Sequence, residues 1–304
     1  MKSDEIEFVA ELAGAGAGLM IEPEKIYVLE SRLAPVARRE GFGSIREMLV
    51  SARQRREEKL LWAVVEALAQ GETSFFRDPE VFRRIREEML PALASQRQGG
   101  PPIRLWSAGC AGGQETYSLA LAVEDAGPGV PAAGIEILGT DLSERALEKA
   151  QAGLYTQFEV QRGLPIRLLA QHFEPKDELW ALSPRIRSMV RWRRLNLNAE
   201  FRALGHFDIV LCRYVLNGMT APARRRALEQ LAGALTPGGY LVLGSGETTQ
   251  ELNGAFKPLE DGVHRLDPGF RAAAQDAKSP AGWRGPSQSF LARSSAAWRR
   301  QPYR

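Results

Sequence analysis

The sequence predicts a mixed α/β chain in which a small helical unit precedes a parallel sheet covered by helices on both faces. Two observations carry that prediction. Residues 1 to about 70 show helical periods without strand alternation, and from about residue 101 the order strand, tight turn, helix repeats. A third sets the scale: 304 residues with 44% hydrophobic and 25% charged positions is ordinary globular usage, with length for about two domains. That composition excludes wholesale disorder, collagen and a disulfide-stapled mini-protein. No apolar run approaches the roughly 20 residues of a membrane span. Asp4, Glu5 and Glu7 deny the N-terminus the basic-then-apolar layout of a signal peptide, so a soluble, cytoplasmic protein is expected.

Each element has its own signal. Leu29, Leu33 and Val36 share one helical face, and Pro35 is expected to end or kink that helix. Ser44 followed by Glu47 reads as a capping box, and Leu60, Leu61, Val64, Val65 and Leu68 mark a further helix. Asp78 stands before Pro79 as an N-cap with proline at the first helical position, and Val81, Phe82, Ile85 and Leu90 point that helix at a core. IRLWSAGC from Ile103 is the first strand, followed by a helix near 115–125, a second strand ending at Asp141 and a helix near 144–151. FDIVLCR at 207–213 and YLVLGSG at 240–246 are later strands, separated by a helix through Leu228, Leu231 and Leu235 that stops at Thr236-Pro237-Gly238-Gly239. The segment 155–194 interrupts the alternation, SMVRWRRLNL at 188–197 reads as a strand, and 256–266 fits a closing antiparallel hairpin.

The formal net charge of +3 is unevenly spread. Residues 268–304 carry seven basic residues against Asp276 alone, so the remainder of the chain is mildly acidic. Rich in Ser, Ala, Gly and Pro, that stretch reads as a flexible basic tail. Cys110 and Cys212 are the only cysteines, both in runs that read as buried strand ends, which argues against a disulfide framework or a metal cluster.

Open parallel sheets bind ligands beyond the carboxyl ends of their strands. Here the first strand runs into Ser107-Ala108-Gly109-Cys110-Ala111-Gly112-Gly113, with Glu115 just beyond, and the second ends in Asp141. The spaced glycines of a dinucleotide site are missing. An acid beside the turn would repel a pyrophosphate but attract a sulfonium and an ammonium, and a carboxylate accepts well from ribose hydroxyls. The pattern therefore points to S-adenosylmethionine, with a plain helix cap as the other reading of Asp141.

Several ordered motifs are similar to one family. Gly71-Glu72-Thr73-Ser74-Phe75-Phe76-Arg77-Asp78-Pro79, Trp106 to Cys110 with Glu115 to Ser118, Gly139-Thr140-Asp141, Arg194-Leu195-Asn196-Leu197, and Phe207-Asp208 to Cys212-Arg213 resemble the chemotaxis receptor methyltransferases of the CheR type, over about Gly18 to Leu266. The resemblance implies a helical N-terminal domain at 1–70, a Rossmann-like methyltransferase domain at 71–267 with a small antiparallel β subdomain inserted near 165–195, and a tail at 268–304. It implies methyl transfer from S-adenosylmethionine to receptor glutamates, leaving methyl esters and S-adenosylhomocysteine. Thr73, Arg77, Gly109, Glu115, Asp141, Asn196 and Leu197 match the cofactor side, and Arg77 and Arg213 the reacting side, to which Tyr214 is added as a candidate although it departs from the family. The chain departs from the family at Gly71 (Asn), Gln114 (Glu), Thr116 (Pro), Tyr214 (Asn) and Asn217-Gly218-Met219 (aliphatic-Tyr-Phe). The tyrosine lost at Gly218 lies near the methyl group in the family, a duty Tyr214 could take over only in a rearranged loop. Two other readings stay open: a binding module with weak or no turnover, and a methyltransferase for another acceptor.

The chemistry suits these residues. A glutamate acceptor, with a reference pKa near 4.3, is already ionised at neutral pH, so no general base is needed. His172, His206 and His264 lie outside the motifs. Arg77 is placed to hold the incoming carboxylate. The arginines at 32, 38, 39, 46, 53, 55 and 56 would suit an acidic helical receptor bundle, the expected partner. Nucleic acid is not expected: Cys212-Arg213-Tyr214-Val215 occupies the place of an Asn/Asp-Pro-Pro-aromatic tetrad, and the acidic remainder of the chain offers no broad phosphate-tracking surface.

Overall fold

In a computed structural model, residues 1–270 are described except 70, 98–99, 131–133 and 253. Most of the basic stretch therefore lies outside the described residues. Four helices come first: α1 (Ser3–Ala17), α2 (Ile26–Arg39), α3 (Ile45–Arg55) and α4 (Glu58–Leu68). Val9, Leu33, Met48 and Val64 are fully buried among them, each contributed by a different helix. Pro35 does not end α2. The helix continues to Arg39, its flanking Leu33, Val36 and Ala37 being held in that core. Ser44 caps α3 by accepting from the Glu47 N–H at 3.1 Å, while the Glu47 carboxylate takes the Gly43 N–H at 2.9 Å, one residue short of the reciprocal partner.

The segment after residue 78 is one interrupted helix: α5 (Pro79–Arg84), a π-helical turn (Ile85–Met89) and α6 (Leu90–Gln96). Pro91, which has no N–H to give, sits where the helix recovers from the wide turn. Val81, Phe82, Ile85 and Leu90 are all buried, as their spacing predicts. Asp78 is not the cap its position suggests. It adopts φ +58°, makes no side-chain cap bond and turns its carboxylate elsewhere.

The alternation that follows comprises β1 (Ile103–Ala108), α7 (Gln114–Glu124), β2 (Ile135–Asp141), α8 (Glu144–Ala152), β3 (Leu154–Thr156), α9 (Gln157–Gln161), α10 (Ile166–His172), β4 (Phe173–Lys176), β5 (Leu179–Leu182), α11 (Pro184–Ser188), β6 (Val190–Arg194), β7 (Phe207–Cys212), α12 (Ala221–Gly233), β8 (Leu235–Leu243), β9 (Phe256–Pro258) and β10 (Val263–Leu266). The main sheet has the order β6-β2-β1-β7-β8-β10-β9. Its first five strands are parallel, and β10 follows antiparallel to both β8 and β9, with β9 at the edge. Leu105 and Trp106 are adjacent on β1 yet belong to different cores, one on each face, which is the mark of a doubly covered sheet. A separate antiparallel sheet, β3-β5-β4, draws on residues 154–182, whereas Val190–Arg194 joins the main sheet beside β2.

The run Thr236–Gly239, read as the stop of a helix, lies within β8. A register shift against β7 falls there, and a Cβ on Gly239 would meet the Thr236 and Asp208 carbonyl oxygens at 2.9 and 3.1 Å. The glycine serves a close strand approach rather than a helix terminus. Among the described residues, no helix is long and apolar enough to cross a membrane.

Candidate cofactor and acceptor site

Chain order on the main sheet reverses between β1 and β7, since β2 and β6 lie to one side and β7 and β8 to the other. That switch point opens a crevice at the carboxyl edge. Gly109–Gly113 after β1, Asp141 closing β2 and Arg213–Tyr214 after β7 all converge there. Among the described residues seven non-glycine residues have positive φ, and four of them, Phe76, Asp78, Ala111 and Tyr214, surround this edge. Each such conformation costs on the order of 1–3 kcal/mol and persists only where neighbours enforce it.

On one side lies a cavity of about 890 Å³. Thr73, Ala111, Gly112, Gln114 and Asp141 form its floor, and Arg32, Arg39 and Glu66 of α2 and α4 its roof. Asp141 accepts from the Ala111 N–H at 2.7 Å and the Ser143 N–H at 2.8 Å, one on each oxygen. Burial pushes its carboxyl up to about 6, against the pull of those two amides, and Glu66 adds to the rise. Lys149 also reaches the cavity wall, but it is ion-paired with Glu159. The Gln114 Oε1 in the same wall is buried without a partner.

On the other side lies a charged cluster. The Arg213 guanidinium, fully buried, donates to Glu115 Oε2 at 2.5 Å, to the Arg77 carbonyl at 2.9 Å and to Asp78 Oδ2. Burial raises the Glu115 carboxyl above its ordinary value, with Arg213 and then Arg77 opposing the rise. Tyr214 donates its hydroxyl to Asp78 Oδ2 at 2.5 Å. The Arg77 guanidinium stacks on the Tyr214 ring, 3.2 Å from its centre. Arg77 makes no ion pair among the described residues, so its N–H donors stay available.

The remaining sequence-predicted positions are placed differently. Gly109, at φ +74°, lets β1 turn against Val215, whose Cγ2 a Cβ would meet at 2.6 Å. Asn196 donates to the Gly16 carbonyl at 2.7 Å and accepts from the Asn198 N–H at 2.9 Å, tying α1 to the end of β6. Leu197 is buried in the core behind the sheet. None of the three lines the cavity.

Two acids went unread. Glu66 accepts from the Ser143 hydroxyl at 2.8 Å and pairs with Arg194 at 3.5 Å, joining α4 to the ends of β2 and β6. Its signal was available, as the one charge within the apolar run Leu60–Leu68. Glu247, after β8, holds the backbone of the Tyr214 loop. Nothing local in the sequence marks it.

Comparison with known proteins decides the family. The profile described as "CheR methyltransferase, SAM binding domain" matches residues 71–263. The chain belongs to the CheR methyltransferase family. Chemotaxis protein methyltransferase 1 of Pseudomonas aeruginosa is 38% identical over 80% of this chain and 89% of its own length. Chemotaxis protein methyltransferase Cher2 of Pseudomonas putida is 34% identical over 80% and 90%. Among solved structures, the N-methyltransferase NodS from Bradyrhizobium japonicum, in complex with S-adenosyl-L-homocysteine, has TM-score 0.34 and 18% identity over 61% of this chain and 87% of that one.

S-adenosylmethionine is the cofactor of this CheR-family methyltransferase, and the cavity fits it. Its volume lies within the roughly 300–1,000 Å³ range of small-molecule sites. Asp141 spends two of about four lone-pair sites on backbone amides, leaving capacity for ribose hydroxyls. Glu115 lies outside the cavity lining, in the charged cluster, where one of its oxygens is taken by Arg213. A pH dependence follows from Asp141. Above about 6 the ionised carboxylate is able to accept from hydroxyls on both oxygens; below, protonation turns one oxygen into a donor and weakens that capacity. Calorimetric titration with S-adenosylhomocysteine is expected to show affinity falling as pH drops through 6, and Asp141→Asn to bind weakly with a flat profile. Stability runs the other way: the folded state favours the protonated acid, so Asp141 makes the ligand-free fold lose stability as pH rises from about 4 to 6.

Proposed function

We propose that this methyltransferase acts in the cytoplasm on glutamate carboxylates of a chemoreceptor or receptor-like signalling protein, forming glutamyl methyl esters. In this reading residues 71–267 are the methyltransferase domain, the helices up to about residue 70 a unit of their own, and β3 to β5 an inserted subdomain. Support comes from the relatives' names and, on this chain, from the Arg77 guanidinium, which makes no ion pair among the described residues, beside an Arg213 whose two terminal nitrogens are already engaged by Glu115, Asp78 and the Arg77 carbonyl. When bound, the cofactor supplies an electrophilic methyl group on a sulfonium. Asp141 and Thr73 hold its nucleoside side, and Glu115 its cationic end. Arg77 receives the acceptor carboxylate by charge-assisted hydrogen bonds, and Tyr214 keeps the guanidinium in place. Because the acceptor is already an anion, the chain's own contribution is alignment, up to about 7–11 kcal/mol in favourable systems. No histidine is needed. His264 lies on β10, two strands from β7, with its Nδ1 2.9 Å from the Gly262 carbonyl oxygen.

The arginines of the helical unit contribute less free charge than their number suggests. Arg39, Arg46, Arg53 and Arg55 pair with Glu40, Glu5, Asp4 and Glu57. Docking of an acidic receptor bundle therefore falls chiefly to Arg38 and Arg56 and to the cavity rim. One observation favours the second reading, a binding module without efficient turnover: Gly218 presents no side chain, and its carbonyl is taken by the Met20 N–H at 2.8 Å. A single assay separates the two. Labelled methyl transferred to a receptor cytoplasmic fragment and released by alkali as methanol is the result expected. Label that resists alkali points to another acceptor, and cofactor binding without label to the module.

A further inference from the structure

Glu247 is 6% exposed, and neither the cavity nor the charged cluster uses it. Both its oxygens are spent on backbone. Oε2 accepts from the Tyr214 N–H at 2.7 Å and the Gly244 N–H at 2.8 Å, and Oε1 from the Asn217 N–H at 3.2 Å. Among the described residues no cation pairs with it. A carboxylate buried without a counter-charge is costly unless several donors satisfy it. Here those donors are concentrated on the loop that follows β7.

The loop needs such an anchor. Tyr214 sits at φ +58°, which a residue with a bulky side chain adopts only when held there. The residue directly after β8 provides the seat. A Cβ on Gly244 would meet the Tyr214 amide nitrogen at 2.8 Å and its ring Cγ at 2.9 Å, so only glycine admits the loop this close. With its N–H fastened to Glu247, Tyr214 sends its ring under Arg77 and its hydroxyl to Asp78. The buried acid is thus two links from the guanidinium that faces the acceptor.

We propose that Glu247 is a positioning residue for methyl transfer, its carboxylate fastening the Tyr214–Asn217 loop in the left-handed turn that carries the Tyr214 ring against Arg77. The inference rests on Arg77 as the acceptor-binding group, and the test separates the two. The full-length protein is labelled with 3-fluorotyrosine, and the Tyr214 fluorine resonance is identified by its loss in Tyr214→Phe. Glu247→Gln keeps one acceptor oxygen and Glu247→Ala keeps none. Both are expected to shift the Tyr214 resonance, and to lower kcat toward a receptor fragment by about 10-fold and about 100-fold, roughly one and two tenfold steps in barrier. The dissociation constant of S-adenosylhomocysteine should stay within threefold, with thermal melts confirming folded protein. Tyr214→Ala combined with Glu247→Ala should be no slower than Tyr214→Ala alone, since the acid acts only through the tyrosine. An unmoved resonance in both Glu247 variants overturns the proposal. So does an unchanged kcat despite a shifted resonance, or a parallel loss of S-adenosylhomocysteine binding. If the wild-type protein methylates no receptor fragment, the reading of Arg77 fails, while the resonance still decides whether Glu247 seats Tyr214.

Discussion

Replacing Arg213 with methionine is expected to destabilise the fold by about 3–5 kcal/mol, the range for breaking a buried ion pair from one side. The guanidinium is fully buried and faces two carboxylates, Glu115 and Asp78, besides the Arg77 carbonyl. Methionine fills much of the volume but leaves Glu115 in a site where burial already raises its carboxyl above the ordinary value. Without Arg213 the rise grows, and the folded state favours the protonated acid over a wider pH range. The sign is fixed by linkage: a carboxyl raised on folding makes stability fall as pH climbs from its unfolded value to its folded one. Arg213→Met should therefore recover stability relative to wild type as pH is lowered from 8 to 5. Adding Glu115→Gln should recover part of the loss at pH 8. Urea midpoints at the two pH values measure both effects. A variant as stable as wild type at pH 8 would show that the cluster contributes nothing to the fold.

How far these features can be read from residues alone depends on whether the signal is local. Strand alternation and helical period report which face is buried, so the parallel sheet, the turn from Ala108 to Gly113 and the closing hairpin of β9 and β10 were all legible. Proline and glycine misled where packing overrode preference. Pro35 stays inside α2 because its neighbours are locked in a core, and Gly239 serves a strand crossing rather than a helix end. Asp78 is the sharper case. Placed before Pro79 it has the composition of a cap, yet Arg213 and Tyr214, more than 130 residues away, outbid the helix for its carboxylate. Asn196 likewise spends its side chain on α1. A partner so distant leaves no periodic trace. Glu247 was illegible for the same reason, since its bonds go to backbone amides, which carry no sequence identity at all.

Replacing Arg77 with alanine is expected to lower kcat/KM toward the receptor fragment by about 10²–10³, the usual effect of removing one donor aimed at reacting charge. The expectation follows from what Arg77 does not do. It makes no ion pair among the described residues, although Glu115 and Asp78 are close at hand, because Arg213 already claims both. Its position is fixed instead by the Tyr214 ring, which orients a guanidinium without consuming its donors. The Arg77→Lys variant keeps the charge but loses the flat fork and its stacking, so it should recover little of the rate. The folded structure should tolerate both changes, since only the Arg77 backbone carbonyl, which any residue supplies, is used by Arg213. Affinity for S-adenosylhomocysteine decides between two roles. If it stays within a few-fold while turnover collapses, Arg77 serves the acceptor. If both fall together, the guanidinium belongs to the cofactor's side of the crevice, and the acceptor carboxylate must find its positive charge elsewhere.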